Sequence, residues 1–227
     1  RIENLDEENR KTKEKIDKIT IEMEKLCEEI TELRKSNSVV LNDKINQELA
    51  RLEMKNARFN AKIIEDKEFS PNGKSYVEFV ITTNLGEEEK KLNKIASGGE
   101  MSRIMLAIKT VLSDIDEVPV LIFDEIDTGI SGKAANSVGN KLKKIAQKHQ
   151  VIIVTHLATI AAQGDYNYYI YKEVQDNKTN TKVKLMNEDE TIREVARIAS
   201  GEITDISLSH AKELRTHRTF CRIYWRN

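Results

Sequence analysis

The sequence predicts an α/β domain built on a parallel sheet, preceded by a coiled-coil helix. Three patterns predict it. Residues 1–35 carry a heptad repeat, residues 118–123 and 151–154 are short apolar runs separated by a helical stripe, and residues 76–81 are rich in β-formers behind a Pro-Asn-Gly turn. Only 39% of the 227 residues are apolar and 33% are charged, a balance that suits a solvated helix joined to one sizeable globular domain.

In residues 1–35 one heptad position holds Ile2, Asn9, Ile16, Met23 and Ile30, and the other holds Leu5, Thr12, Ile19, Leu26 and Leu33. Glu and Lys fill the outer positions, and neither Gly nor Pro interrupts. This is the pattern of a coiled coil, with Asn9 placed to fix register. An isolated strand of coiled coil leaves an apolar seam bare, so a partner helix is implied. A single amphipathic helix packed on its own domain is the alternative. Ser36-Asn37-Ser38 reads as a break, after which Leu41, Ile45, Leu49, Leu52 and Phe59 continue a looser helical stripe. The predicted units are therefore an arm segment (1–37), a head lobe (38–214) and a tail (215–227).

From Ala61 the pattern turns to extended structure. Ser70-Pro71-Asn72-Gly73 is a turn, the run 76–81 is a strand, and Asn84-Leu85-Gly86 closes it. Gly73-Lys74-Ser75 resembles the end of a phosphate-binding loop, but the required Gly five positions earlier is Glu68, and the segment falls in a hairpin rather than between a strand and a helix. The segment 129–134 fails the same spacing. Ser97 precedes an amphipathic helix carrying Ile104, Met105, Ile108, Val111 and Leu112, and Ser97 with Glu100 fits a capping box. A cap alone does not need Gly98 and Gly99, both poor helix formers. Two glycines there let an anion approach bare N–H groups at the positive helix end.

Residues 118–123 read as a strand buried on both faces. Ala134, Val138, Leu142, Ile145 and Ala146 mark one face of a helix, and residues 151–154 form a second buried strand. Strand, helix and strand make a βαβ unit with parallel strands. A hairpin around Asp176-Asn177-Lys178 follows, then helices near 189–199, stopped by Gly201, and 205–216. Asp124, Glu125 and His156 fall at the carboxyl ends of the two parallel strands, where open sheets bind ligands. Vicinal carboxylates there can hold Mg²⁺ and orient or deprotonate a water, and a His in the same crevice can touch a phosphate.

Together these pieces resemble the ATP-binding cassette family, and more closely its SMC-like branch, whose heads carry coiled-coil arms. Residues 92–109 look like its signature segment, 121–132 are similar to its Walker B and D-loop, and 154–162 look like its switch-histidine segment. The resemblance covers roughly residues 40–214. It implies the C-terminal lobe of a P-loop ATPase head that uses ATP and Mg²⁺. Asp124 then helps hold the metal, Glu125 is the base and His156 senses the γ-phosphate. Ser97, Gly98, Gly99 and Glu100 serve an ATP held by an opposing head, and Asp127 to Ser131 form the D-loop across that interface. Transporter-type relatives end this loop in Asp, where Ser131 stands here.

The phosphate loop of that family is missing from these 227 residues, so the implied partners are an N-terminal lobe bearing Walker A, a second copy of the head, and DNA. A non-hydrolysing coiled-coil module, or another chromosome-maintenance ATPase of the same branch, are the competing readings. The formal charge of −1 gives no global basic field, so DNA contact follows from the resemblance alone. The tail offers Arg215, Arg218, Arg222 and Arg226 among Phe220, Tyr224 and Trp225 as a nucleic-acid surface, against the preferred reading of an ordinary C-terminal helix or non-native tail. Cys27 and Cys221 have neither metal spacing nor a disulfide framework, and Cys27 reads as an inert thiol. The chain begins in mid-pattern without Met or a signal-peptide core, which suggests a fragment. Its longest apolar stretches are too short to span a bilayer, so the expected place is the cytoplasm, at the nucleoid.

Overall fold

A computed structural model describes residues 2–84, 86–175, 178–216 and 222–225, with side chains described except at 2–5, 175 and 222–225. Helix α1 runs unbroken from Ile2 to Arg51. The expected break at Ser36-Asn37-Ser38 does not occur. Ser36 Oγ and Asn37 Nδ2 donate to Leu33 O, and Ser38 Oγ donates to Lys35 O. These residues bond back into their own helix, so their capacity to compete with helix is spent locally. The heptad seam is bare, with Ile16, Ile19, Leu26 and Leu33 each more than half exposed. Further along, Ile45 and Leu49 are fully buried, and the chain leaves the helix through Glu53 at φ 60°.

Strands β1 (Arg58–Ser70), β2 (Gly73–Thr82) and β3 (Lys90–Lys91) form an antiparallel sheet in that order. Phe59, expected on the helical stripe, is instead a buried residue of β1, paired with Ile81. The hairpin turns at Gly73, whose φ of 94° favours glycine, so Gly73-Lys74-Ser75 is a hairpin segment as expected. The outer edge of β1 faces α1, and two asparagines one helical turn apart close it. Asn46 accepts from Phe59 N at 2.8 Å and donates to Phe59 O at 3.0 Å, while Asn42 accepts from Ala61 N at 2.8 Å. The amide of Asn46 thus stands in for a neighbouring strand at an edge that would otherwise expose unpaired backbone.

Helix α2 (Gly98–Leu112) leads to β4 (Val120–Phe123), α3 (Gly132–Ala146) and β5 (Gln150–Thr155). Strands β4 and β5 are parallel, Leu121 opposite Val151 and Phe123 opposite Ile153, which is the expected βαβ unit. β4 is not buried on both faces. Leu121 and Phe123 enter the core, whereas Val120 is 39% and Ile122 68% exposed, so only one face of this strand is covered. On α3 the most buried positions are Ala135, Val138, Gly139, Leu142 and Ile145, with Ala134 and Ala146 half-buried beside them.

After the short helix α4 (Ala158–Ala161), strands β6 (Tyr166–Gln175) and β7 (Lys178–Leu185) form the predicted hairpin; its turn residues Asp176 and Asn177 lie outside the described residues. Helix α5 (Glu188–Ser200) starts in a full capping box of Asn187 with Glu190 and stops at Gly201, φ 80°. Helix α6 (Asp205–Thr216) is the helix predicted over 205–216 and includes Arg215. Arg215 is 4% exposed and grips the Glu188 carboxylate at 2.9 and 3.0 Å, so it is a packing residue and not part of a basic surface. In place of a C-terminal helix, Arg222–Trp225 form strand β8, which pairs in parallel with both β5 and β6. Arg218, Phe220 and Arg226 lie outside the described residues, as does Cys221. The second sheet is ordered β4-β5-β8-β6-β7. One continuous core joins α1 (Ile45, Leu49), the antiparallel sheet (Phe59, Ile81), α2 (Ile104), β5 (Ile153) and α5 (Val195). Among the described residues no helix is long and apolar enough to cross a membrane.

Asn46→Ala orphans the N–H and C=O of a residue that is 2% exposed, and is expected to cost about 1–3 kcal/mol. Urea unfolding should show a lower midpoint with an unchanged slope.

Candidate functional site

Strand β4 delivers Asp124 and Glu125 to solvent at its carboxyl end, and the chain then turns sharply. Glu125 has φ 57°, a left-handed value uncommon for a side-chain-bearing residue, and Thr128 N donates to Glu125 O at 3.0 Å to close the turn. Ile126 and Asp127 are buried beneath it at 0% and 1% exposure. One strand over, β5 ends in buried Thr155 followed by His156, whose side chain is 65% exposed.

Asp127 joins the two strand ends. Its Oδ2 accepts from Thr155 Oγ1, from His156 N at 2.8 Å and from Leu157 N at 3.2 Å, and lies 3.4 Å from His156 Nδ1. The resemblance to the cassette family implies Asp127 in a loop facing a second molecule; in the structure its carboxylate is turned inward. Asp124, Glu125, Asp127, Thr128, Thr155 and His156 line a cleft of about 270 Å³.

The first turns of α2 pack directly on this loop. Ser97 is the N-cap and accepts from Glu100 N at 3.4 Å, one half of the expected capping box. A methyl added at Gly98 would sit 2.4 Å from Glu125 Oε2, so that carboxylate rests over the start of the helix, where the positive end of the dipole favours an anion. A methyl at Gly99 would lie 2.9 Å from Thr128 Cβ and 3.0 Å from Glu125 O. One turn further in, Ser102 Oγ donates to Asp124 O at 2.6 Å, and Arg103 Nη1 donates to Ile126 O at 3.2 Å and Thr128 O at 2.8 Å. Burial pushes the Arg103 guanidinium below its ordinary range, against the pull of Glu100 and Asp127 nearby.

The predicted residues Ser97, Gly98, Gly99, Glu100, Asp124, Glu125, Asp127 and His156 are thus gathered around one loop. Ser131 is apart from them: it stands at the N-cap position of α3, without a side-chain capping bond, and lines a different cleft with Arg103, Glu53 and Lys133. Sequence reasoning singled out neither Ser102 nor Arg103. An arginine immediately before the buried Ile104 was the available signal. Among the described residues no group of three or more His, Cys, Asp or Glu forms a metal cluster, and the exposed donors here are two neighbouring carboxylates and the His156 ring.

Gly99→Ala is expected to destabilise by about 1–3 kcal/mol, because backbone must move to admit the methyl. Gly98→Ala should stay within about 1 kcal/mol of wild type, since only the end of Glu125 has to swing and alanine is the better helix former. Equal losses for the two variants in urea unfolding would rule out this difference in packing.

No family model matches the sequence. Curated proteins do. The chain is 36% identical over 229 residues to the DNA repair protein RecN of Bacillus subtilis, covering 94% of this chain and 40% of that protein. It is 39% identical to RecN of Haemophilus influenzae, covering 85% and 35%, and 44% identical to RecN of Treponema pallidum, covering 73% and 30%. The chain therefore spans two fifths or less of these relatives' length. Among solved structures, the Smc head domain with a coiled coil and joint from Pyrococcus yayanosii superposes with a TM-score of 0.48 at 19% identity, covering 87% of this chain and 38% of that one. An Smc head with an extended coiled coil from Pyrococcus furiosus gives 0.44 at 20%, covering 87% and 49%. Superpositions this loose carry no residue roles.

Proposed function

We propose that this chain, RecN-like along most of its length, supplies one half of a nucleotide site in an SMC-like ATPase that acts on broken DNA. The observation that supports this most is the shared wall at the loop after β4: two exposed carboxylates and an exposed histidine line one small cleft, and one of those carboxylates, that of Glu125, rests over the start of α2. No Walker A pattern occurs in the 227 residues, and in this reading the phosphates are cradled by residues outside them.

Each residue then has a task that its position allows. Asp124 is the carboxylate for Mg²⁺, an ion commonly held by one or two carboxylates plus phosphate oxygens, which suits an exposed pair better than a closed cage. When bound, that ion neutralises charge on the phosphates. Glu125 orients the attacking water and takes its proton as the water oxygen bonds to the γ-phosphorus and the bond from that phosphorus to the β–γ bridging oxygen breaks, releasing ADP. His156 donates to a γ-phosphate oxygen. The N–H groups behind Ser97, Gly98 and Gly99 present the helix end to a nucleotide carried by a second head. The bare seam of α1, with Ile16, Ile19, Leu26 and Leu33, receives the partner helix of the arm.

Alone, the 227-residue chain should show no ATP turnover above background. Joined to the Walker A portion encoded with it, it should hydrolyse ATP, and Glu125→Gln should lower the rate by about 10²-fold or more while ATP-dependent dimers accumulate. Turnover by the chain alone would sink the half-site assignment. Dimers that form equally in wild type and Glu125→Gln would point to a non-hydrolysing coiled-coil module.

A further inference from the structure

We infer that Asp127 is a positioning residue that sets the tautomer and direction of His156. The ring is otherwise exposed, and the described group facing it is the Asp127 carboxylate, 3.4 Å from Nδ1. The same Oδ2 holds the backbone on which the ring is mounted, through His156 N and Leu157 N, and holds the Thr155 hydroxyl beside it. Thr155 Oγ1 in turn accepts from Leu157 N at 3.1 Å, so the first residues beyond β5 are fixed by two side chains. Asp127 itself cannot drift, because it is 1% exposed and sits in the turn that Arg103 clamps from the other side.

A carboxylate accepts only, so its place beside Nδ1 favours the proton on that nitrogen. Nε2 is then the ring's working end, turned away from Asp127. In the neutral ring it accepts, and after gaining a proton it donates. Only the protonated ring, donating from Nε2, can report on a phosphate oxygen, and this part of the inference rests on the function proposed above. The tautomer does not. Asp127 Oδ1 has no described partner and Arg103 Nε lacks one as well, though Asp127 acts electrostatically on Arg103. Oδ2 already accepts from Thr155 Oγ1, His156 N and Leu157 N, so it faces Nδ1 at 3.4 Å chiefly as a fixed negative charge.

The test uses the uniformly ¹⁵N-labelled 227-residue chain, with His156 assigned by loss of its signals in His156→Gln, and two-bond ¹⁵N–¹H correlations recorded where the ring is neutral. The expected spectrum shows the proton on Nδ1. Asp127→Asn keeps an oxygen for His156 N and Leu157 N but removes its negative charge, so the amide spectrum away from residues 124–128 and 155–157 should hold while the Nδ1–H preference weakens. A wild-type ring protonated on Nε2 overturns the proposal, and so does a tautomer unchanged in Asp127→Asn. Inorganic phosphate added to the wild type at a pH where the ring is protonated separates the two readings: a shift centred on Nε2 is expected, and no shift sinks the phosphate contact while leaving the tautomer result standing.

Discussion

The fit of the first two turns of α2 against the loop after β4 is the constraint on which the rest of the site depends. Gly99 leaves no room for a side chain, Ser102 takes the carbonyl of Asp124, and the buried guanidinium of Arg103 takes those of Ile126 and Thr128. These interactions are mutually obligatory. Without Arg103 two carbonyls of a buried turn lose their donor, and without the turn a buried cation loses its acceptors. An orphaned charge costs more than a neutral hydrogen bond contributes. The helix start and the carboxylate pair must consequently travel as one body.

The loop is held from its opposite side as well. Asp127 reaches across to the end of β5, so the turn between β4 and α3 is fixed by a helix at one flank and a neighbouring strand at the other. Rigid support of this kind explains how Glu125 can persist at φ 57°. A conformation that costs of order 1–3 kcal/mol survives only where its surroundings over-determine it.

Much of this was legible in the sequence wherever the cue is local. The Pro-Asn-Gly turn, the βαβ unit and the stop at Gly201 each follow from backbone preferences that tertiary contacts reinforced. Ser36-Asn37-Ser38 misled because short polar side chains can bond either to a turn or back to helix carbonyls, and composition does not say which. The apolar run at β4 suggested two covered faces, yet Ile122 looks outward: apolar character records what a residue tolerates, while burial depends on what stands opposite. Phe59 and Asn46 were unreadable for a related reason, since a side chain replacing a strand at a sheet edge leaves no periodic trace. Asp124, Glu125 and His156 announced themselves by standing at strand ends; the inward turn of Asp127 could only be learned from the fold.

The continuity of α1 has a mechanical consequence. At 1.5 Å per residue the helix is about 75 Å long, and the exposed stretch preceding Glu24 accounts for about 30 Å of it. Near Arg34 and Thr31 it is bolted to Ser75 of the β-hairpin, and at Ile45 and Leu49 it is sunk into the core. With no hinge at Ser36-Asn37-Ser38, the rod and the head share one axis of rotation. A tilt of about 5° at the root carries the free end about 3 Å, so a small change in the head is delivered as a displacement at the far end of the arm, with no joint between them to absorb it.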